Sequence, residues 1–198
     1  MKDKCGEVQK SMNITTYEIQ FDDILEGRNV LPPYDNPDYI HYVKMNQTRA
    51  SRLSRKGKLL PQLEELITRI DQETYWLLIT EPWCGDAAHC HPFVARYAAM
   101  NDHITLKVQN RDTPGSEIDN YLTNGGKSIP MLIVRDAYHR DLFTWGPRPK
   151  DAQELYLDLK NQSVEWPEIL KQLQLWYSKN KGVMMQEEWY DLFQQHFA

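Results

Sequence analysis

The chain has 198 residues and a formal net charge of −5 at pH 7, with 41% hydrophobic and 26% charged residues. This composition is typical of a globular protein with a substantial core, and the negative charge argues against a nucleic-acid partner. No stretch approaches the ~18 consecutive apolar residues of a membrane-spanning helix, so we expect no membrane partner either.

Cysteine usage bears on the cellular compartment. The three cysteines, Cys5, Cys84 and Cys90, are an odd number and do not form a disulfide framework. Residues 1–21 include lysines but no apolar segment of a secretory signal. Together these features predict a cytoplasmic, reducing environment.

The amino-terminal part is predicted to be mainly helical. Thr15–Phe21 is predicted as a short strand. Asn36-Pro37-Asp38 provides a cap, a proline for the first helical position and an acid for the first turn. This helix is expected to end at Gly57, and a second helix is expected from about Pro61, where apolar residues recur at helical spacing.

A basic segment lies within the first of these helices. Lys44–Lys58 holds six cations and no acid, and its arginines recur at three-residue spacing on one helix face. Such a face is either solvated or meets phosphates or acidic partners.

From about residue 75 the pattern changes to alternating strands and helices. A continuous apolar run, Tyr75–Ile79, predicts a central strand that is covered on both faces. The following elements are predicted in chain order: helix 85–100, strand 104–108, short helix 117–124, hairpin strands 131–134 and 142–145, and helix 149–160. The remaining tail is predicted to be helical, with aromatic stripes that pack on the body of the protein.

The sequence Trp83-Cys84-Gly85 follows the apolar run directly, so Cys84 is predicted where a strand ends and a helix begins. Helix N-terminal amides stabilise a thiolate, and we expect a Cys84 pKa below the free value of about 8.5. Asp86 opposes this effect, because a nearby carboxylate disfavours a second negative charge. Asp86 is therefore either a catalytic group or a first-turn acid that stabilises the helix.

The order of elements around this motif resembles the thioredoxin-like superfamily. Pro92 matches the proline that kinks the active-site helix, Ile129-Pro130 resembles the family's Ile–cis-Pro, and Gly146 matches the glycine beside that surface. The strings Trp-Cys-Gly-Asp-Ala-Ala, Thr-Asn-Gly-Gly-Lys-Ser-Ile-Pro and Trp-Gly-Pro-Arg-Pro are similar to a bacterial branch, known simply as thioredoxin family proteins, that often lacks the second cysteine. Here Ala87 occupies that position.

The resemblance implies an α/β fold of three layers, with a mixed central sheet flanked by helices. We divide the chain into a mainly helical N-terminal extension (1–58), a thioredoxin-like domain (59–160) and a C-terminal helical extension (161–198) that packs on the same body.

Neither a second thiol nor a metal is expected to assist Cys84. Six helical residues rise about 9 Å, whereas the Cα atoms of a disulfide lie about 4.4–6.8 Å apart, so Cys90 is predicted to be a buried small hydrophobe. His89 and His91 cannot converge with Cys84 on one ion from a regular helix, and we predict no metal site.

The candidate site gathers residues from three segments. Arg148 is expected to lie over the thiol, where it lowers the thiol pKa or binds a substrate carboxylate. The alternative is that Arg148 only pairs with a protein acid or caps a loop. Lys127, Arg111 and Asp112 are expected at the same rim. The candidate catalytic residues are Cys84 and Asp86, and the candidate substrate-binding residues are Trp83, Gly85, Ile129, Pro130, Gly146 and Arg148.

The leading functional hypothesis is single-cysteine thiol–disulfide exchange, with a disulfide-containing protein or a small thiol as partner. No cofactor is expected, although glutathione is a candidate co-substrate. Two alternatives remain: a non-catalytic module that grips an extended peptide at the cis-proline surface, and a peroxide-sensing thiol.

Overall fold

The structure, a computed structural model, describes residues 11–197. Cys5 lies outside the described residues. The elements in chain order are α1 (Ile14–Leu25), α2 (Pro37–Lys56), α3 (Pro61–Thr68), β1 (Thr74–Thr80), α4 (Ala87–Ala98), β2 (Ile104–Asn110), a 3-10 helix (Glu117–Asn120), β3 (Met131–Arg135), β4 (Asp141–Trp145), α5 (Lys150–Asn161), α6 (Trp166–Asn180) and α7 (Val183–Phe197).

The four strands form one mixed sheet in the order β2-β1-β3-β4. β1 pairs parallel with β2 and antiparallel with β3, and β3 pairs antiparallel with β4. The predicted α/β fold with a mixed sheet and flanking helices is confirmed. Because β1 is central, its carboxyl end delivers the Cys84 segment to the middle of one sheet edge.

The predicted strand at Thr15–Phe21 is wrong, because this segment lies within helix α1. Asn13 caps the helix by accepting a hydrogen bond from the Thr16 backbone N–H at 2.8 Å. Tyr17, Phe21 and Ile24 then bury one helical face. Strand-like pairing in this region is limited to a bridge between Met12 and Val108 of β2.

The predicted helix over residues 117–124 is also shorter than expected. It is a single 3-10 turn that ends at Asn120, and Thr123 and Gly126 then close a tight turn through reciprocal backbone hydrogen bonds of 2.9 Å. Asn124 and Gly125, the central residues of that turn, both have positive φ, which no helix can continue through.

The two faces of the sheet contribute to different clusters. Trp76 and Leu78 of β1 pack with residues of α3, α4 and α7, whereas Leu77 and Ile79 pack with Cys84, Ile118 and Ile129. The first cluster includes buried Trp189 and Phe193 of α7, so this terminal helix completes the core. Within residues 11–197, no helix combines the length and apolar character needed to cross a bilayer.

We expect Phe193→Ala to lower the free energy of unfolding by about 3–5 kcal/mol, because Phe193 is 1% exposed and its ring lies 5.0 Å from that of Trp76. Exposed Gln194→Ala on the same helix is the control and should change stability by less than about 0.5 kcal/mol. Urea denaturation measures both, and equal effects would show that α7 is not part of the core.

Candidate functional site

Cys84 lies in the turn between β1 and α4, at the carboxyl end of the central strand. Its thiol lies 3.4 Å from the Ile129 carbonyl oxygen and donates to it. The peptide bond between Ile129 and Pro130 is cis. Cys84 is only 6% exposed, so the sulfur faces the proline segment rather than open solvent.

The expected fall in the Cys84 pKa is wrong. Burial and, to a lesser extent, the charge of the neighbouring Asp86 carboxylate together raise this pKa to about 12. Backbone hydrogen bonds from Ala87 and Asp86 and the charge of Arg148 act in the opposite direction but do not prevail. Helix N-terminal amides are therefore present, as the motif indicates, yet loss of hydration outweighs them.

Asp86 and Arg148 form a buried ion pair beside the thiol. Arg148 Nη2 lies 2.7 Å from Asp86 Oδ2, and the two side chains are 11% and 10% exposed. Burial raises the Asp86 pKa, while Arg148 and the neighbouring Tyr177 hydroxyl lower it. Of the two roles open to Arg148 in the sequence, the structure shows pairing with a protein carboxylate.

Arg148 also anchors this pair to helix α5. Its Nη1 donates to Gln153 Oε1 at 3.0 Å, and its guanidinium carbon lies 4.4 Å from the centre of the Tyr156 ring. The guanidinium is consequently held at one position over the start of α4, between the motif and α5.

Gly146 lies against the cis-proline segment. Its φ is +140°, and a Cβ atom there would approach the Pro130 carbonyl oxygen to 2.2 Å. Only glycine can occupy this position without moving the backbone. Gly146 therefore allows β4 and the proline segment to approach closely beside Cys84.

Trp83 forms an aromatic rim on the other side of the motif. The Arg111 guanidinium carbon lies 4.7 Å from the centre of its ring, and Tyr39 of α2 meets it edge-on at 5.8 Å. Asp112 pairs with Arg111 at 2.8 Å, and Lys127 pairs with Asp119 at the same distance. The basic residues predicted at this rim are present, each with a carboxylate partner.

A cleft of about 760 Å³ opens above Cys84 between helices α2 and α6. The motif and Ile129 form part of its lining, together with Arg111, Lys127 and Arg148. The helices contribute residues that the sequence analysis did not assign to the site: Tyr39, Tyr42, Met45 and Arg49 from α2, and Trp166, Leu170, Leu173 and Gln174 from α6. The spacing of the apolar members favoured packing, Arg49 was noted only as part of the basic face of its helix, and no local signal showed that these residues face the thiol.

Helix α6 contacts the start of α4 through His89. The His89 and Tyr177 rings stack at 4.3 Å, and His89 Nε2 lies 2.9 Å from Gln174 Oε1. A Cβ on Gly85 would lie 3.1 Å from Gln174 Nε2, so a larger residue in the motif would push against α6. The C-terminal helices thus cover the motif.

Cys90 and the two histidines point in different directions. Cys90 is 1% exposed in the main core, as predicted, and both Cys84 and Cys90 are free. His91 meets Tyr17 of α1 edge-on at 5.3 Å, on a different side of α4 from the His89–Tyr177 stack. Among the described residues, no three His, Cys, Asp or Glu side chains form a group that could hold a metal ion.

Glu81, three residues before Cys84, is a buried carboxylate that the sequence analysis missed. It is 3% exposed and accepts hydrogen bonds from the Tyr34 hydroxyl at 3.0 Å and the Asp112 backbone N–H at 3.1 Å. Burial raises its pKa, and these two hydrogen bonds lower it. Glu81 joins the segment before α2 to the loop after β2, directly under the motif.

We expect Asp86→Asn and Arg148→Gln to move the Cys84 pKa in opposite directions. Removing the carboxylate should lower the thiol pKa, and removing the guanidinium should raise it. Each variant should also lower the free energy of unfolding by about 3–5 kcal/mol, because it leaves one buried charge without its partner. The pH dependence of Cys84 alkylation gives the pKa, and denaturation gives the stability.

The control for this pair of variants is Asp119→Asn, which removes a carboxylate from the exposed ion pair with Lys127. It should change stability by no more than about 1 kcal/mol. If Asp86→Asn and Arg148→Gln shifted the thiol pKa in the same direction, the assignment of their charges would be wrong.

We expect His91 to make the protein less stable in mild acid. Burial lowers the His91 pKa to about 4 from a usual value of 6.5, so the folded state keeps it neutral while the unfolded state takes up a proton. The resulting stabilisation is complete above about pH 6.5 and is lost as the pH falls towards 4, by roughly 3 kcal/mol in all.

His91→Gln should therefore flatten the slope of unfolding free energy against pH between 6.5 and 4.5. The slope is compared within each variant, so a uniform loss of stability does not affect the result. His41→Gln, at an exposed position of α2, is the matched control. An unchanged slope in His91→Gln would show that this histidine has the same pKa in the folded and unfolded states.

Comparisons with known proteins identify the family. A family model described as thioredoxin matches residues 34–165. A crystal structure of PA1234, a protein of unknown function from Pseudomonas aeruginosa, has 15% identity and a TM-score of 0.50, covering 78% of this chain and 82% of its own. An HIV epitope-scaffold has 16% identity and a TM-score of 0.54, covering 93% and 99%. A search of curated proteins finds no match. Because the model match spans more than half of the chain, the protein belongs to the thioredoxin family.

Proposed function

We propose that this thioredoxin-family chain is a binding protein whose cleft holds a ligand above a protonated Cys84 thiol. One observation carries the proposal: Cys84 lies on the floor of the cleft with a pKa of about 12. The cleft volume of about 760 Å³ falls within the range of ligand pockets, ~300–1,000 Å³.

The walls of the cleft support binding of an apolar group. Trp166 and Leu175 line it and are 52% and 47% exposed, so both offer apolar surface that is not yet buried. Burial of such surface stabilises a complex by roughly 25 cal/mol per Å² before the costs of association. The proposal shares a non-catalytic binding role with the second hypothesis from the sequence, but it places an apolar ligand in the cleft where that hypothesis had an extended peptide at the cis-proline surface.

Single-cysteine thiol–disulfide exchange is the second candidate. It is supported by the backbone N–H groups of Asp86 and Ala87 and by the Arg148 charge, which all favour a thiolate at Cys84. The thiolate would attack one sulfur of a disulfide, form a new S–S bond and release the other sulfur as a thiolate, and an external thiol would then resolve the adduct.

The raised pKa of Cys84 makes thiol–disulfide exchange a weaker candidate than ligand binding. Because burial raises the thiol pKa far above 7, only a very small fraction of molecules carries the thiolate at neutral pH, and the thiolate is the nucleophile. Oxidation by peroxide needs the same thiolate, so the peroxide-sensing alternative is disfavoured for the same reason. We also propose a reducing, cytoplasmic setting, in which Cys84 and Cys90 stay free.

The first test is alkylation of Cys84 by iodoacetamide across pH 6–11, read as modified peptide by mass spectrometry. We expect alkylation to rise only above about pH 10 and no mixed disulfide to form with oxidised glutathione at pH 7.5. Cys84→Ser corrects for modification elsewhere. A Cys84 pKa below about 8.5 together with a stoichiometric glutathione adduct would establish exchange instead.

The second test asks whether the cleft binds a neutral apolar probe, 4-phenylbutyramide, followed by NMR shifts of the Trp166 indole N–H. We expect a saturable shift that Leu170→Arg abolishes, because Leu170 lines the cleft. Leu157→Arg, at an exposed position of α5 away from the cleft lining, should leave the titration unchanged. A shift that survives Leu170→Arg would place binding outside the cleft and overturn the proposal.

A further inference from the structure

Positively charged residues outnumber negatively charged ones around the cleft. Five cations line it, and Asp86 is the one carboxylate among its lining residues. Four of these cations have carboxylate partners within ion-pair distance: Arg111 with Asp112, Lys127 with Asp119, Arg148 with Asp86 and Lys171 with Glu168. The fifth is Arg49 of α2, and no carboxylate in residues 11–197 lies within 4.0 Å of its guanidinium nitrogens.

Arg49 is held in place by a neutral side chain. Its Nη1 donates to Asn46 Oδ1 at 2.8 Å, and Asn46 Nδ2 donates to the Pro82 carbonyl oxygen at 3.0 Å. Asn46 is 1% exposed, so its orientation is set by packing. This chain of two hydrogen bonds links α2 to the segment immediately before Cys84 and directs the Arg49 guanidinium toward it.

The guanidinium consequently lies next to the motif. A Cβ atom on Gly85 would be 4.0 Å from Arg49 Nη1, and both residues line the cleft. Gly85 lets the Cys84 segment approach the Arg49 guanidinium and the Gln174 amide closely, since a Cβ there would lie 3.1 Å from Gln174 Nε2. A bound molecule could contact the guanidinium and the floor of the cleft at the same time.

The surroundings of Arg49 favour an anionic ligand. Burial lowers its pKa, which means that loss of hydration disfavours the charge at this position. Arginine nevertheless stays protonated at neutral pH and offers five N–H donors, of which one is used by Asn46. A carboxylate matches the planar guanidinium in a bidentate arrangement and compensates for the lost hydration.

We propose that Arg49 binds the carboxylate of a small organic acid whose apolar or aromatic body fills the cleft beside Cys84. This inference rests on the proposed binding function and specifies the ligand class. Tyr42 and Met45 of α2 and Leu170 of α6 provide the apolar walls near Arg49. A cleft of this volume between two helices suits a small molecule, and one fixed cation selects a single carboxylate.

The test compares 4-phenylbutyrate with 4-phenylbutyramide, which have the same body but differ in charge. Both are titrated into the full chain at pH 7.5 and low salt, following the Trp166 indole N–H by NMR. We expect the acid to bind at least about tenfold more tightly than the amide, because the guanidinium can form a bidentate ion pair with a carboxylate but only a single hydrogen bond with the neutral amide oxygen. This preference should weaken with added salt.

Substitutions of Arg49 test whether this residue causes the preference for the acid over the amide. Arg49→Gln should remove the preference, so that the acid and the amide bind with similar affinity, while Arg49→Lys should retain part of the preference. Arg52→Gln, at an exposed position three residues further along α2 and outside the cleft lining, is the matched control and should retain the full preference.

The outcomes separate this inference from the proposed function. If the acid and the amide bind equally to the unmodified protein, or if Arg49→Gln weakens both equally, Arg49 does not recognise a carboxylate. The inference is then overturned, while binding in the cleft stands. If neither probe binds, both proposals are overturned. Amide binding by Arg49→Gln also shows that this variant keeps a folded cleft.

Discussion

The buried ion pair between Asp86 and Arg148 is the interaction on which the site depends. Removing two charges from water costs several kcal/mol per ion, and their attraction offsets this cost only when the geometry is well defined. Here the geometry is defined by Gln153 and Tyr156 of α5, which hold the guanidinium 2.7 Å from the carboxylate. The pair therefore fixes the start of α4 relative to α5, and Cys84 with it.

The enclosure that accommodates this pair also determines the state of the thiol. Helix α6 covers the start of α4 through the contacts of Tyr177 and Gln174 with His89. Cys84 itself packs with apolar residues of β1, the 3-10 helix and β3, and the loss of hydration there is the largest cause of its raised pKa. The Asp86 charge acts in the same direction, and Arg148 offsets it only in part. The same packing thus bounds the cleft and keeps the Cys84 thiol on its floor protonated. For this reason we favour ligand binding over thiol–disulfide exchange.

The sequence was sufficient for the fold and for the local motif, and insufficient for the surroundings of the thiol. Periodicity, the cap at Asn36 and the order of strands predict the sheet and most helices, because these signals are local. The prediction for Thr15–Phe21 was wrong because this helix buries Tyr17 and Phe21 against residues distant in the chain, such as Val108, whereas the cap at Asn13 is a local signal that the analysis did not use. The prediction of the Cys84 pKa was wrong for a related reason, since the helix-end effect is local, whereas the burial of the thiol involves residues distant along the chain, such as Ile118 and Met131.

Contacts from the N-terminal part show why the site extends beyond the thioredoxin-like sheet. Tyr34 donates to Glu81, and Asn46 donates to the Pro82 carbonyl oxygen, so two residues from the segment before α3 fix the two positions that precede Trp83. A sheet edge alone would leave this segment exposed to water on one side. With α2 on that side and α6 on the other, the edge becomes a bounded cleft whose walls are side chains of the flanking helices.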